Sequence, residues 1–441
     1  MIPAHLRLSM RATATILGLL GMSCALCAAD IANRLSPRDR SLGFRMLEQV
    51  RRDIEENHFD PALKGVNLSE RFNAARGEIE AAKDNGDVFR AIASAVRSLK
   101  DSRTQFVPPG RAATYNYGWD ATPCGRECII NDVDPAGPAA GLLAPGDRLL
   151  AINGAAIDRA TWPAWTYYLQ AIEPHAKLRL VVAAPEQPPR EVEVVTLVTP
   201  RAAIVDLSRV VQQILDERDE LERETRSTFK VYDNVLVWRL KTFTYDENDI
   251  RSGLRRARGH QSLILDLRGN GGGNEPTMER LIGGFFDRDV GIGTLKKRAG
   301  RQPLTAKSSG RDVWAGRLLV LVDGETGGAA EIFAATIQRE GRGLLVGDHT
   351  AGVAQQGNYY SHSIGANRLT LFGVFVATAE FELADGRTIE GSGLTPDFLI
   401  IRKPADVAAQ NDPVLAMALK QFGVTRSAAG LGRDYLGVIE Q

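Results

Sequence analysis

The sequence predicts a multi-domain α/β protein with a helical N-terminal unit, a β-rich module and a layered α/β core. Three patterns carry that expectation. Apolar residues recur at helical spacing early in the chain, as in Phe44, Leu47, Val50 and Ile54. Short apolar runs bounded by turn residues follow the break at Pro108-Pro109-Gly110. From Val231 onward, strand-like apolar runs alternate with helix-length segments, as they do when helices cover a buried sheet.

Residues 1–29 carry Arg7 and Arg11, an apolar run over 14–27, and Ala28-Ala29 before Asp30. This is the layout of a secretory signal, so the mature protein is expected to be exported, periplasmic or secreted. A retained anchor is the alternative, although a membrane span needs about 20 apolar residues. Residues 30–111 read as the helical unit, with Asp and Ser placed to cap and Asn85-Gly86 breaking the stretch. Residues 112–200 form the β-rich module, with strands expected at 128–133, 148–152 and 177–183. Residues 201–227 include Asp216-Glu217-Arg218-Asp219-Glu220 and read as a charged, solvated helical connector. The core spans 228–403, with strands at 235–240, 262–267, 318–322 and 344–346 and helices at 249–258, 276–286 and 329–338. Residues 404–441 are a C-terminal extension.

Composition narrows the function. The 441 residues are 44% apolar, with 54 basic against 54 acidic side chains, so no bulk field recruits nucleic acid or anionic lipid. Removing Arg7 and Arg11 with the signal leaves 52 basic against 54 acidic residues and no expected membrane span. Cys24 and Cys27 leave with it, and Cys124 and Cys128 remain, either bridged across Gly125-Arg126-Glu127 or as two buried thiols. No second Cys or His pair stands at ligand spacing, so neither a metal nor another cofactor is expected.

Two segments carry chemistry. Leu263-Ile264-Leu265-Asp266-Leu267-Arg268-Gly269-Asn270-Gly271-Gly272-Gly273-Asn274 is a buried strand running into a glycine-rich turn, whose N–H groups can face an anion or a developing oxyanion, or which is simply a tight turn. No Gly-Lys-Ser/Thr follows, which argues against a phosphate loop. Leu318 to Val322, Asp323-Gly324-Glu325-Thr326-Gly327-Gly328 and Ala329 onward read as strand, small-residue turn and helix, an arrangement that exposes a side chain at a helix N-terminus.

Together with Gly347-Asp348-His349-Thr350-Ala351-Gly352, the order and spacing resemble the tail-specific, or carboxyl-terminal-processing, serine peptidases. Glu56-Asn57-His58-Phe59-Asp60-Pro61, Asp385-Gly386-Arg387 and Gly393-Leu394-Thr395-Pro396-Asp397 extend the likeness over nearly all of the mature chain. Pro145-Gly146-Asp147-Arg148-Leu149-Leu150-Ala151-Ile152-Asn153-Gly154 resembles a PDZ signature. The resemblance implies a PDZ-like module beside a crotonase-like layered core. It also implies a carboxylate-binding loop at Tyr117, Gly118 and Trp119 and oxyanion amides at Gly272 and Ala329. A PDZ module adds a peptide as an extra strand and holds its C-terminal carboxylate.

The resemblance fails at the reacting groups. The family's nucleophilic serine falls on Gly328, which has no side chain. The lysine base of some members falls on Val353. The histidine of the other branch, within an Asp-x-His-Ser/Thr motif, falls on Arg103 in Asp101-Ser102-Arg103-Thr104, and a guanidinium cannot act as a general base. The expected function is therefore recognition of protein C-termini or unfolded polypeptide with hydrolysis lost or much reduced. The alternatives are a peptidase using a displaced nucleophile, with Thr326 and His349 or His362 as candidates, or a non-catalytic partner of an active paralogue. Glu331 reads as a first-turn residue that complements the helix dipole.

Overall fold

A computed structural model of the protein describes residues 35–111, 113–200, 227–244, 247–364 and 370–432. The signal-like start and residues 201–226 of the expected connector lie outside the described residues.

The helical unit consists of α1 (Pro37–Asn57), α2 (Leu68–Ala81) and α3 (Asn85–Arg97). Each starts on a side-chain cap: Ser36 accepts from the Asp39 N–H, Asn67 from Glu70 and Asp84 from Asp87. The cap at Asp84 places Asn85-Gly86 inside the first turn of α3, where the sequence reading had them break the helix. Met46, Leu47, Val50 and Ile54 of α1 meet Phe72 and Ile79 of α2 and Val88, Ile92 and Val96 of α3.

β1 (Gln105–Val107) leaves the helical unit, and β2 (Ala113–Asn116) opens the next module. There follow β3 (Trp119–Cys124), β4 (Glu127–Val133), β5 (Arg148–Ile152), β6 (Ala155–Ala156), α4 (Trp162–Tyr167), β7 (Lys177–Ala183), β8 (Arg190–Val195) and β9 (Leu197–Pro200). The main sheet has the order β3-β4-β5-β7-β8, all antiparallel, with β6 paired to β5 and β2 to β9. β3 is therefore an edge strand. Ala121, Ile130, Leu149, Leu180 and Val192 form its core. Cys124 and Cys128, near the β3–β4 turn, are buried thiols.

The core contains two sheets. In the first, β10 (Thr228–Tyr232) pairs antiparallel with β11 (Val235–Arg239), and parallel strands follow: β12 (Ser262–Asp266), then further along the chain β15 (Arg317–Val322), β16 (Gly343–Gly347) and β19 (Phe398–Leu399). Buried parallel strands read as continuous apolar runs, which is why these were visible in the sequence. Helices α5 (Glu247–Ala257), α6 (Glu275–Gly283) and α7 (Ala329–Arg339) contribute Leu254, Leu281 and Phe333 to one core.

The second sheet joins β13 (Val290–Lys297), β14 (Gly300–Ala306), β17 (Gln355–Ile364) and β18 (Thr370–Leu383) to β1. Phe372, Val374 and Val376 of β18 are buried in the core of the helical unit, so that unit and the layered core share a sheet face. The tail is not peripheral either. After the short α8 (Pro404–Ala408), α9 (Pro413–Gln421) buries Val414, Leu415 and Leu419 against Ile264, Leu321 and Val346 on the back of the parallel sheet. Burial on that scale stabilises by about 1.5–3 kcal/mol per side chain.

Candidate functional site

Two turns at the C-terminal ends of adjacent strands build the site. β12 runs into 267–274, where the Asn270 amide donates from Nδ2 to the Leu240 carbonyl at 2.8 Å and its Oδ1 accepts the Gly272 N–H at 2.9 Å. β15 runs into 323–328, where Asp323 Oδ1 accepts the N–H groups of Gly269, Glu325 and Thr326. The Gly327 N–H donates to the Asn270 carbonyl at 2.9 Å and stitches the turns together. Beneath them, the buried Arg268 guanidinium joins Asp266 to Asp412, so the segment before α9 anchors the base of the site.

Gly328 caps α7 with φ 55° and ψ −129°, a sharp strand-to-helix turn of the kind that presents nucleophiles. Its N–H donates to the Val353 carbonyl at 2.7 Å. A Cβ placed on Gly328 would sit 2.9 Å from the Gly271 carbonyl oxygen, 3.3 Å from Arg103 Nη2 and 3.3 Å from Gly272 Cα. The structure thus brings Gly328, Arg103 and Gly272 together, although Arg103 lies far away in sequence. Gly272, at φ 108°, lets the helix start approach closely, since a Cβ there would lie 2.8 Å from the Ala329 nitrogen. Ala329 is the first residue of α7 and has no i−4 helical carbonyl for its N–H. The Gly272 N–H is engaged with Asn270, so the two expected oxyanion amides are not equivalent. Val353 flanks the turn, its Cβ 3.6 Å from where a Gly327 Cβ would be.

Arg103 is fixed by its own motif. The buried Asp101 carboxylate accepts from the Arg103 N–H at 3.1 Å and from the Thr104 N–H and hydroxyl at 2.6 and 2.8 Å, and it pairs with His58 Nε2 at 3.1 Å. Burial raises the Asp101 pKa, but the hydrogen bonds from His58 and Thr104 outweigh it and hold the group below the ordinary carboxylate value. Burial also lowers the Arg103 pKa, opposed by the charge of Glu390. Glu390 accepts from the Ser102 N–H and hydroxyl and from the Ala354 N–H.

Glu331 has a role beyond the expected dipole partner. Fully buried in the first turn of α7, it accepts the Gly352 N–H at 2.8 Å, the Val353 N–H at 2.9 Å and the Thr350 hydroxyl, clamping the 350–353 loop onto the helix start. Burial pushes its pKa up to about 6 against the pull of those bonds. Thr326 is also buried; its hydroxyl donates to the Leu267 carbonyl at 3.0 Å and accepts from the Asp323 N–H at 2.9 Å. His349 sits beside Asp348, and His362 Nε2 lies 2.6 Å from Asp53 of α1. None of the partners of Thr326 is a histidine.

Tyr117, Gly118 and Trp119 stay within their own module. The Tyr117 hydroxyl accepts the His175 N–H at 3.1 Å and donates to the Leu169 carbonyl at 3.4 Å, while the Gly118 N–H donates to Asn116 Oδ1 at 2.8 Å. Trp119 begins the edge strand β3, its ring 6.2 Å from that of Trp162. The module meets the core at Arg159, which pairs with Asp348 Oδ2 at 3.0 Å and donates to the His349 and Thr350 carbonyls at 2.6 and 2.9 Å. Sequence reasoning missed His58 as a partner of Asp101, as well as Arg159 and Glu390. His58 lies within Glu56-Asn57-His58-Phe59-Asp60-Pro61, part of the family resemblance, but no local pattern singles out Arg159 or Glu390, whose partners are remote in sequence.

The family model described as peptidase family S41 matches residues 234–400, the span that holds both turns and α7. Residues 234–400 are an S41 peptidase domain. The chain is 24% identical over 400 residues to carboxyl-terminal-processing peptidase 2, chloroplastic, of Arabidopsis thaliana, covering 84% of this chain and 72% of the relative. It is 24% identical over 300 residues to the tail-specific protease of Haemophilus influenzae, covering 65% of this chain but 41% of that relative. Mature CPAF in complex with lactacystin shares the fold with a TM-score of 0.64 at 14% identity, over 84% of this chain and 95% of that one. Among the described residues, no helix is long and apolar enough to cross a membrane.

Proposed function

We propose that the chain is an exported, PDZ-bearing S41 homologue that binds protein C-termini or unfolded polypeptide and hydrolyses them poorly or not at all. One observation carries this reading. At the head of α7, the position facing Arg103 is Gly328, so the strained turn presents no nucleophile and the group beside it is a guanidinium. Loss of a serine nucleophile costs on the order of 10⁶ in kcat in a well-studied protease, leaving what binding and amide dipoles provide. The edge strand β3 beside the turn at Gly118 supports a PDZ-type module, because an unpaired strand edge is where such modules add a peptide. The layout of residues 1–29 supports export.

Thr326 is a poor substitute nucleophile, because its buried hydroxyl is committed to the Leu267 carbonyl. The test uses the purified mature chain with casein and with labelled peptides. The expected result is no cleavage above buffer, with tighter binding of a peptide bearing a free C-terminus than of its amidated twin. Cleavage at a rate comparable to active serine peptidases, or equal affinity for the two peptides, would overturn the reading.

A further inference from the structure

We propose that the vacated catalytic centre is itself a carboxylate-binding site. Arg103 holds the terminal carboxylate of a polypeptide there, and the outer face of β1, β17 and β18 receives the apolar side chains that precede it. The inference rests on the C-terminus-binding reading above and assigns the capture to Arg103 rather than to Tyr117–Trp119.

The first ground is the arginine. Its one hydrogen bond among the described residues from the guanidinium is Nε to the Gln355 carbonyl at 3.1 Å, and no carboxylate there lies within ion-pair distance. Glu390 acts on it only through charge, its oxygens being taken up by Ser102 and Ala354. A largely desolvated cation with no paired anion is costly, and a guanidinium fork matches a carboxylate in shape and charge. Nη2 points at the space over Gly328, 3.3 Å from where a Cβ would be. The start of α7 adds its positive end on the same side. An internal peptide segment would bring only a neutral carbonyl, whereas a chain end brings the missing charge.

The second ground is the surface beside it. The Arg103 stem lies against Gly357 of β17, where a Cβ would be 3.1 Å from Arg103 Cβ. Two residues along that strand, Tyr359 stands opposite Phe375 of β18, with ring centroids 5.0 Å apart. Both remain in solvent, 47% and 41% exposed, and Leu371 further along the same face of β18 is 61% exposed. Phe375 is also opposite Gln105 of β1. The other face of this hairpin, with Phe372 and Val374, is buried on the helical unit, so the outward aromatics serve no core. An exposed apolar pair, Tyr359 and Phe375, beside a cation with no ion-paired carboxylate among the described residues suits an apolar chain end. At Tyr117–Trp119, by contrast, the Gly118 N–H and the Tyr117 hydroxyl already have partners within the module, and the Trp119 Nε1–H, buried without one among the described residues, is a neutral donor that brings no charge to a carboxylate.

The test is fluorescence anisotropy of a labelled decapeptide ending in Ala-Leu-Val, as free acid and as amide, on the full chain and on Arg103→Gln. The expected result is a loss on the order of 10- to 100-fold for the acid in the variant, with the amide unchanged. A benzophenone at the penultimate position, used on the unmodified chain, should crosslink within 355–364 or 370–383 whether or not the variant folds. If the unmodified chain prefers the acid but Arg103→Gln keeps that preference, or the crosslink falls within 117–172, this proposal fails while the C-terminus-binding reading stands. If the unmodified chain shows no preference for the acid, both fail.

Discussion

Replacing Gly328 by alanine puts a methyl group at the head of α7, and the structure sets the sign of the effect. The backbone there has φ 55°, a conformation L-residues rarely adopt, and the new Cβ would lie 2.9 Å from the Gly271 carbonyl oxygen, inside normal contact. Strain of this kind costs about 1–3 kcal/mol. Gly77, in the interior of α2, provides the control: a Cβ there meets nothing within 4 Å. Gly77→Ala should therefore stabilise by about 0.5–1 kcal/mol through helix propensity. Urea unfolding of both variants against the unmodified chain reads the two effects directly. If Gly328→Ala raises stability as Gly77→Ala does, the claim that the backbone at Gly328 disfavours a side chain is wrong. The same geometry bears on attempts to restore activity. Gly328→Ser with Arg103→His must first move the Gly271 carbonyl, so any recovered hydrolysis should come with a lower unfolding midpoint.

Two further outcomes follow from the site. Glu331 has a folded pKa raised from 4.5 to about 6, so its neutral form is favoured in the fold, and stability should fall as pH rises from about 4.5 through 6. The difference amounts to about 2 kcal/mol, and the slope should be missing in Glu331→Gln when unfolding is followed across that range; an unchanged slope refutes the assignment. Asp412→Ala leaves the buried Arg268 with one of its two carboxylates and should cost about 3–5 kcal/mol and loosen α9, visible as faster amide hydrogen exchange over 413–421.

How much was legible depended on the range of the interaction that decides each feature. The parallel strands around Leu265 and Val320 could be read because a strand buried on both faces is apolar at every position. The β17–β18 hairpin could not, since its two faces serve different masters: Phe372 packs on the helical unit while Leu371 stays in water. The break expected at Asn85-Gly86 falls just before it, at 82–84, because the Asp84 cap, a local contact, starts the next helix at Asn85 in spite of the poor helix propensity of glycine.

The sequence by itself determined the strand–turn–helix at Gly328 and the residue types at Gly328, Arg103 and Val353, none of them a nucleophile or a general base, because residue identity and short-range pattern need no tertiary contact. Only the tertiary structure decided that the Arg103 guanidinium faces Gly328, that Glu331 grips the 350–353 loop and that Asp412 closes the base of the site. Those contacts join segments that meet only once the sheets have packed, and no local spacing encodes which buried charge will find which partner.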